Sequence, residues 1–89
     1  MEQYGIALLY NTRDAMAAEK AAKEKALRAR IIGTPGKIKA TCGFCLKYDL
    51  ADEKALYQVI AKGNWRTEGF FHVRQDGLAL TYEPVKEEL

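Results

Sequence analysis

The hydrophobic pattern changes period along the chain, and each change marks an element. Residues 4–10, "YGIALLY", are a short apolar run with the composition of a buried first strand. Asn11 and Thr12 follow, and either can cap a helix by accepting a backbone N–H bond. Asp14 then falls in the first turn, near the positive end of the helix dipole. From Thr12 to about Ala29 there is no Gly or Pro, and Ala, Lys, Glu, Arg and Leu dominate. Ala15, Ala18, Ala22, Ala26 and Ala29 recur at three- and four-residue spacing, giving a narrow apolar stripe that lets this helix lie close to whatever it covers. Glu19/Lys23 and Glu24/Arg28 are i,i+4 pairs with the acid first, each worth about 0.2–0.5 kcal/mol on a solvated face.

"RIIGTP" (30–35) predicts a second short strand entering a Pro-Gly turn, and "GKIKAT" a loop or irregular strand start. The period then becomes two: Phe44, Leu46, Tyr48 and Leu50 alternate with Cys45, Lys47 and Asp49, as in a half-buried strand. Asp52 is placed to cap a second helix over 52–62, with Ala55, Leu56, Val59 and Ile60 inward and Gly63 as its stop. "NWRTEG" predicts a loop and "FFHVRQ" (70–75) a strand. Asp76-Gly77 is a hairpin-turn signal, and "LALTYEPV" is a last strand ended by Pro84. This order implies an α+β fold: a ferredoxin-like βαββαβ sheet with both helices on one face and an extra C-terminal strand. With no repeat or linker, residues 1–89 are expected to form one domain.

Composition narrows the function. At 48% hydrophobic and 29% charged, the chain has the make-up of a globular protein and not of a disordered one. A net charge of +2 makes no case for nucleic acid, and the longest apolar run is too short to cross a membrane. "MEQYG" lacks the basic-then-apolar pattern of a signal peptide. The terminal "VKEEL" faintly matches an ER-retention tetrapeptide, but with no signal before it the expected location is the cytoplasm. There, Cys42 and Cys45 are expected to do chemistry instead of forming a structural bridge, although a cysteine is often simply a small buried side chain.

Cys42-Gly43-Phe44-Cys45 admits three kinds of chemistry. A thioredoxin-type dithiol needs a helix directly after the motif, and strand alternation follows instead. In an extended strand the two cysteines lie about 10 Å apart at roughly 3.3 Å per residue. A disulfide needs Cα atoms within about 7 Å, so Cys45 can resolve Cys42 only if Gly43 turns the chain. Zinc wants four ligands, whereas Cys42, Cys45 and His72, the one histidine, supply three; no metal is expected within one chain. A single reactive thiol at Cys42 remains. Lys37 and Lys39 precede it, and nearby cations favour thiolate over thiol. Thr41 and the N–H groups around Gly43 could hold a small anion in a backbone nest. No His or carboxylate sits in the motif to act as a base. That argues against hydrolysis and for exchange between sulfurs, which requires no cofactor.

These features resemble the small selenium/sulfur carrier protein-like family. The shared features are the aromatic-aliphatic first strand, the capped Ala- and Glu-containing helix, the Pro-containing loop and a Cys-Gly opening the next strand. The resemblance covers about residues 4–75 and is most specific in "TPGKIKATCG", where Pro35, Ile38, Thr41, Cys42 and Gly43 fit the pattern. The family usually has Arg after the Pro and a serine-rich step. Here Gly36 and "KAT" stand there, so Lys37 or Lys39 would have to replace those anion contacts. In that family the domain occurs alone or behind a TusA-like sulfur-carrier domain.

The resemblance implies a carrier using a persulfide or selenopersulfide on Cys42, at most a sulfurtransferase-type activity. Its partners would be sulfur or selenium donors and acceptors, such as a cysteine desulfurase or a TusA-like carrier. Two alternatives stay open. One is a Cys42/Cys45 redox protein. The other is a non-catalytic binding or regulatory module with Tyr57, Trp65 and Tyr82 as contact residues. An exposed edge strand or open sheet face would also suit a homodimer.

Overall fold

A computed structural model describes residues 2–85; the "KEEL" end lies outside the described residues. The elements are β1 (Glu2–Leu9), α1 (Thr12–Glu24), β2 (Ala29–Gly33), β3 (Phe44–Tyr48), a 3-10 turn (Leu50–Asp52), α2 (Glu53–Lys62), β4 (Thr67–Asp76) and β5 (Ala79–Pro84). The five strands form one sheet in the order β2-β3-β1-β4-β5, with every neighbouring pair antiparallel. The fold is thus α+β, with two helices and a five-stranded antiparallel sheet. The additional strand lies along β4, so β4 is interior and the two edges are β2 and β5.

Gly5 to Leu9 of β1 are buried without a break because the middle strand is covered on both faces. On one face Ala7, Leu9, Leu46, Tyr48 and Phe70 pack against Ala15, Ala18 and Ala22 of α1 and Leu56 and Ile60 of α2. The alanine stripe thus covers the sheet as its small side chains predict. On the other face Ile6, Leu8, Cys45 and Val73 are covered by Ile38, with Ala40 beside it, from loop 34–43. A Cβ at Gly5 would sit inside the ring of Tyr48, which crosses β1 at that point.

Helix α1 ends five residues before the expected Ala29. Ala26 takes φ +61, its N–H donates to Lys23 C=O (3.0 Å), and the N–H of Leu27 donates to Ala22 C=O (2.9 Å). This is a Schellman end with alanine in the left-handed position that glycine usually fills. Ala29 therefore begins β2 and is buried there, and Arg28 lies beyond the helix, out of reach of a helical pairing with Glu24. Glu19 does meet Lys23 (3.7 Å), and it also accepts the N–H of Ile31 (2.8 Å) on edge strand β2.

Helix α2 ends in the same way with Asn64 at φ +58, one residue after the expected stop. Gly63 instead makes room for the ring of Trp65, which a Cβ would strike. Asp52 occupies the N-cap position of α2 without a side-chain capping bond, and its carboxylate accepts the N–H of Arg28 (3.0 Å). Asp49 caps the preceding 3-10 turn through Ala51 N–H (3.1 Å). The hairpin turn is Gly77-Leu78, with Gly77 at φ +65, and Asp76 is the last ladder residue. Strand β4 begins at Thr67, inside the segment expected to be a loop.

Candidate thiol site at the end of the sheet

Loop 34–43 leaves β2, turns at Ile38 (N–H to Pro35 C=O, 3.0 Å) and returns to open β3. Its neck is closed by Thr34, whose N–H donates to Gly43 C=O (2.9 Å) and whose hydroxyl donates to Cys42 C=O (3.1 Å). Ile38 and Ala40 alternate inward with Lys37 and Lys39 outward. Both lysines are exposed, with no hydrogen bond or ion pair to a described residue. They stand on the solvent side of the loop, away from the sheet.

Cys42 is the loop residue that meets helix α1. Its Sγ lies 3.4 Å from the N–H of Phe44 and 3.5 Å from Oγ1 of Thr12, and the residue is 7% exposed. Thr12 is the first residue of α1, and Asn11 caps the helix by accepting the N–H of Asp14 (2.8 Å). The sulfur thus rests against the positive end of a 13-residue helix. Gly43 beside it is exposed, with open space where a Cβ would be. Thr41 gives both its N–H (2.7 Å) and its hydroxyl (3.0 Å) to the carboxylate of Glu68. Of the donors expected to hold an anion, those of Thr41 are therefore engaged by one of the protein's own carboxylates.

Cys45 is placed differently. It sits in the β3 ladder opposite Ile32, fully buried with Ile6, Leu8 and Val73, on the same face as Lys47. Burial pushes its thiol up to about 11, against a smaller downward pull from a hydrogen bond to Thr34. Both cysteines are free thiols.

His72 lies on β4 opposite Gly5, roughly 13 Å along the sheet from the Cys42 end at about 3.3 Å per residue. Its Nε2 is 2.5 Å from Glu53 Oε2, which also accepts the Tyr48 hydroxyl (2.7 Å). Burial works to raise the Glu53 carboxyl, but hydrogen bonds from Tyr48, His72 and Tyr57 and the His72 charge outweigh it and hold the group low. Burial, then the bond to Glu53, pushes the Tyr48 hydroxyl far up. Among the described residues no three His, Cys, Asp or Glu side chains come together as a metal site, and no helix is long and apolar enough to cross a membrane.

The arrangement at Cys42 joins the end of β1, the start of α1, the start of β3 and the start of β4. The profile of the family described as Putative Se/S carrier protein-like matches residues 4–72, which span all four. The chain belongs to this Se/S carrier-like family. No curated protein and no solved structure matches it. The family match ends at His72 and leaves β5 outside.

Two residues that surround Cys42 in this member of the Se/S carrier-like family escaped the sequence pattern. Thr12 was legible only as a cap, and its contact with Cys42 spans 30 positions. Glu68 falls in "NWRTEG", where the turn-forming composition hides a strand start; the Glu-Gly step is the one local sign of irregular backbone.

Proposed function

We propose that this protein is a sulfur or selenium carrier that accepts the atom on Cys42 as a persulfide or selenopersulfide. The observation supporting this is the seat of Sγ between the Phe44 N–H and the Thr12 hydroxyl, with Cys45 buried apart from it in the β3 ladder. In the transfer, the Cys42 thiolate attacks the outer sulfur of a donor persulfide. A new S–S bond forms on Cys42, the donor S–S bond breaks, and the donor leaves as a thiolate, so no external oxidant or reductant is needed. Handing on reverses the step, with Cys42 as the leaving thiolate. The Phe44 N–H and a Thr12 hydroxyl able to donate suit a sulfur that is a thiolate before it is loaded and again after it hands on its cargo.

Gly43 leaves room for the added atom, and Thr41, Lys37 and Lys39 would meet the incoming group once the loop shifts. We read β1 to β4 as a ferredoxin-like unit extended by β5, acting in the cytoplasm as one domain. Its donor would be a cysteine desulfurase-type protein and its acceptor a TusA-like carrier, with the activity at most sulfurtransferase-like.

Incubation with a cysteine desulfurase and cysteine, followed by peptide mass spectrometry, tests this. One added sulfur on the Cys42 peptide, absent in Cys42→Ser, is expected. An unmodified Cys42 beside a loaded control carrier would exclude it.

A second reading draws on the low exposure of Cys42: a non-catalytic binding module in which the thiol is packing. A Cys42→Ser variant with full function in its host would favour that module.

A further inference from the structure

Between β1 and β4 the ladder slips by one residue. Leu8 faces Gly69 and Leu9 faces Thr67, so Glu68 is left without a partner on β1. Gly69 has φ +151, a conformation that an L side chain rarely adopts. A bulge of this kind bends its strand and turns the extra side chain in a new direction. Here it turns Glu68 toward Thr41, the residue before Cys42. One carboxylate oxygen takes the Thr41 N–H and the other the Thr41 hydroxyl. Backbone and side chain of one loop residue are thus held by a single carboxylate.

Thr41 and Gly43 are both exposed, yet Cys42 between them is 7% exposed. The loop is otherwise held near Cys42 by Thr34 and by the packing of Ile38 and Ala40. We infer that Glu68 is a positioning residue for Cys42: its grip on Thr41 keeps the sulfur seated against Thr12 and sets how open it is to a reagent. The inference deepens the carrier reading and rests on it for its purpose, because a carried sulfur must be shielded between partners and exposed when handed on. The geometry itself stands without that reading.

Alkylation by iodoacetamide, with Cys42 and Cys45 followed separately by peptide mass spectrometry, measures the effect. Cys45 is the internal control, since it lies three residues away in the buried ladder and reacts only when β3 opens. Glu68→Ala removes both bonds to Thr41 and should raise the Cys42 rate at least roughly tenfold, the worth of one charge-assisted hydrogen bond to the opening equilibrium, with Cys45 unmoved. Glu68→Gln, whose carbonyl oxygen still accepts the Thr41 N–H, should raise it less. A Cys42 rate unchanged in both variants overturns the inference. So does a parallel rise at both cysteines in both variants, which would make Glu68 a general support of the fold. The assay needs no sulfur donor, so the two ideas fail separately. A Cys42 that never loads sulfur defeats only the carrier reading, whereas normal loading with unaltered alkylation in both variants defeats only this one.

Discussion

The buried stretch of strand β1, Gly5 to Leu9, carries a polar cluster at each end, and the two are built to different standards. Near Gly5 the Tyr48 ring crosses the strand, and its hydroxyl joins His72 on one oxygen of Glu53. Strands β3 and β4 and helix α2 are tied together there by short bonds to a carboxylate. Beyond Leu9, the Cys42 sulfur meets its partners at 3.4 and 3.5 Å, from a loop gripped at Thr41 by Glu68. Hydrogen bonds to a charged group contribute about 1.5–3 kcal/mol each, roughly twice the neutral kind, and those to sulfur are weaker still. At the thiol end the firm bonds thus hold the neighbouring Thr41 and not the sulfur, which itself rests on contacts that are cheap to exchange. Local mobility at reactive sites is drawn from such weakly held segments.

Four substitutions press on this contrast. Gly5→Val should be the most damaging. The added side chain would occupy the place of the Tyr48 ring, and Tyr48 is anchored at its hydroxyl, so a loss of about 3 kcal/mol is expected in urea unfolding.

Glu53→Gln comes next, costing about 2 kcal/mol at neutral pH. The pH dependence follows from the carboxyl being held low in the fold. Its stabilisation is fully present above the ordinary value of 4.5 and is lost as the pH falls through the lower folded value. Glu53→Gln should flatten that acid limb of the stability curve, and an unchanged limb would show that the His72–Glu53–Tyr48 cluster is not the strong end.

Thr12→Val reverses the pattern. Stability should stay within about 0.5 kcal/mol, while Cys42 alkylation quickens several-fold as its sulfur loses a seating contact worth about 1 kcal/mol. A large stability loss here would erase the difference between the two ends.

Smallest is Ala26→Gly. It relieves a left-handed alanine and should stabilise by about 0.5–1 kcal/mol in thermal melts without altering the alkylation of Cys42.

The two helix ends show what the sequence could reveal. Both close with a Schellman motif. Asn64, next to Gly63, advertises the second, because those residue types tolerate the required backbone. Ala26 does not advertise the first, so the alanine stripe ran on to Ala29 in the pattern although the chain had already reversed into a strand. Period-two alternation from Phe44 to Tyr48 correctly divided the cysteines between a loop and a ladder, because that signal is local. What the loop touches is not local. Thr12 and Glu68 lie 30 and 27 positions from their partners, and no spacing rule reaches that far. The bulge at Glu68 also needs pairing information that only the assembled sheet holds. The Tyr48 crossing was hidden for the same reason: a glycine inside "YGIALLY" does not say which ring lies over it.

The hairpin tip at Gly77-Leu78 has a practical use. It projects from the end of β4 that pairs with the start of β1, and Leu78 is fully exposed. Strand β1 runs eight residues, roughly 27 Å at about 3.4 Å per residue, between that level and the thiol end. An azide-bearing residue at Leu78, clicked onto a sensor chip, would therefore tether the molecule by its far pole and leave Cys42 facing the flow.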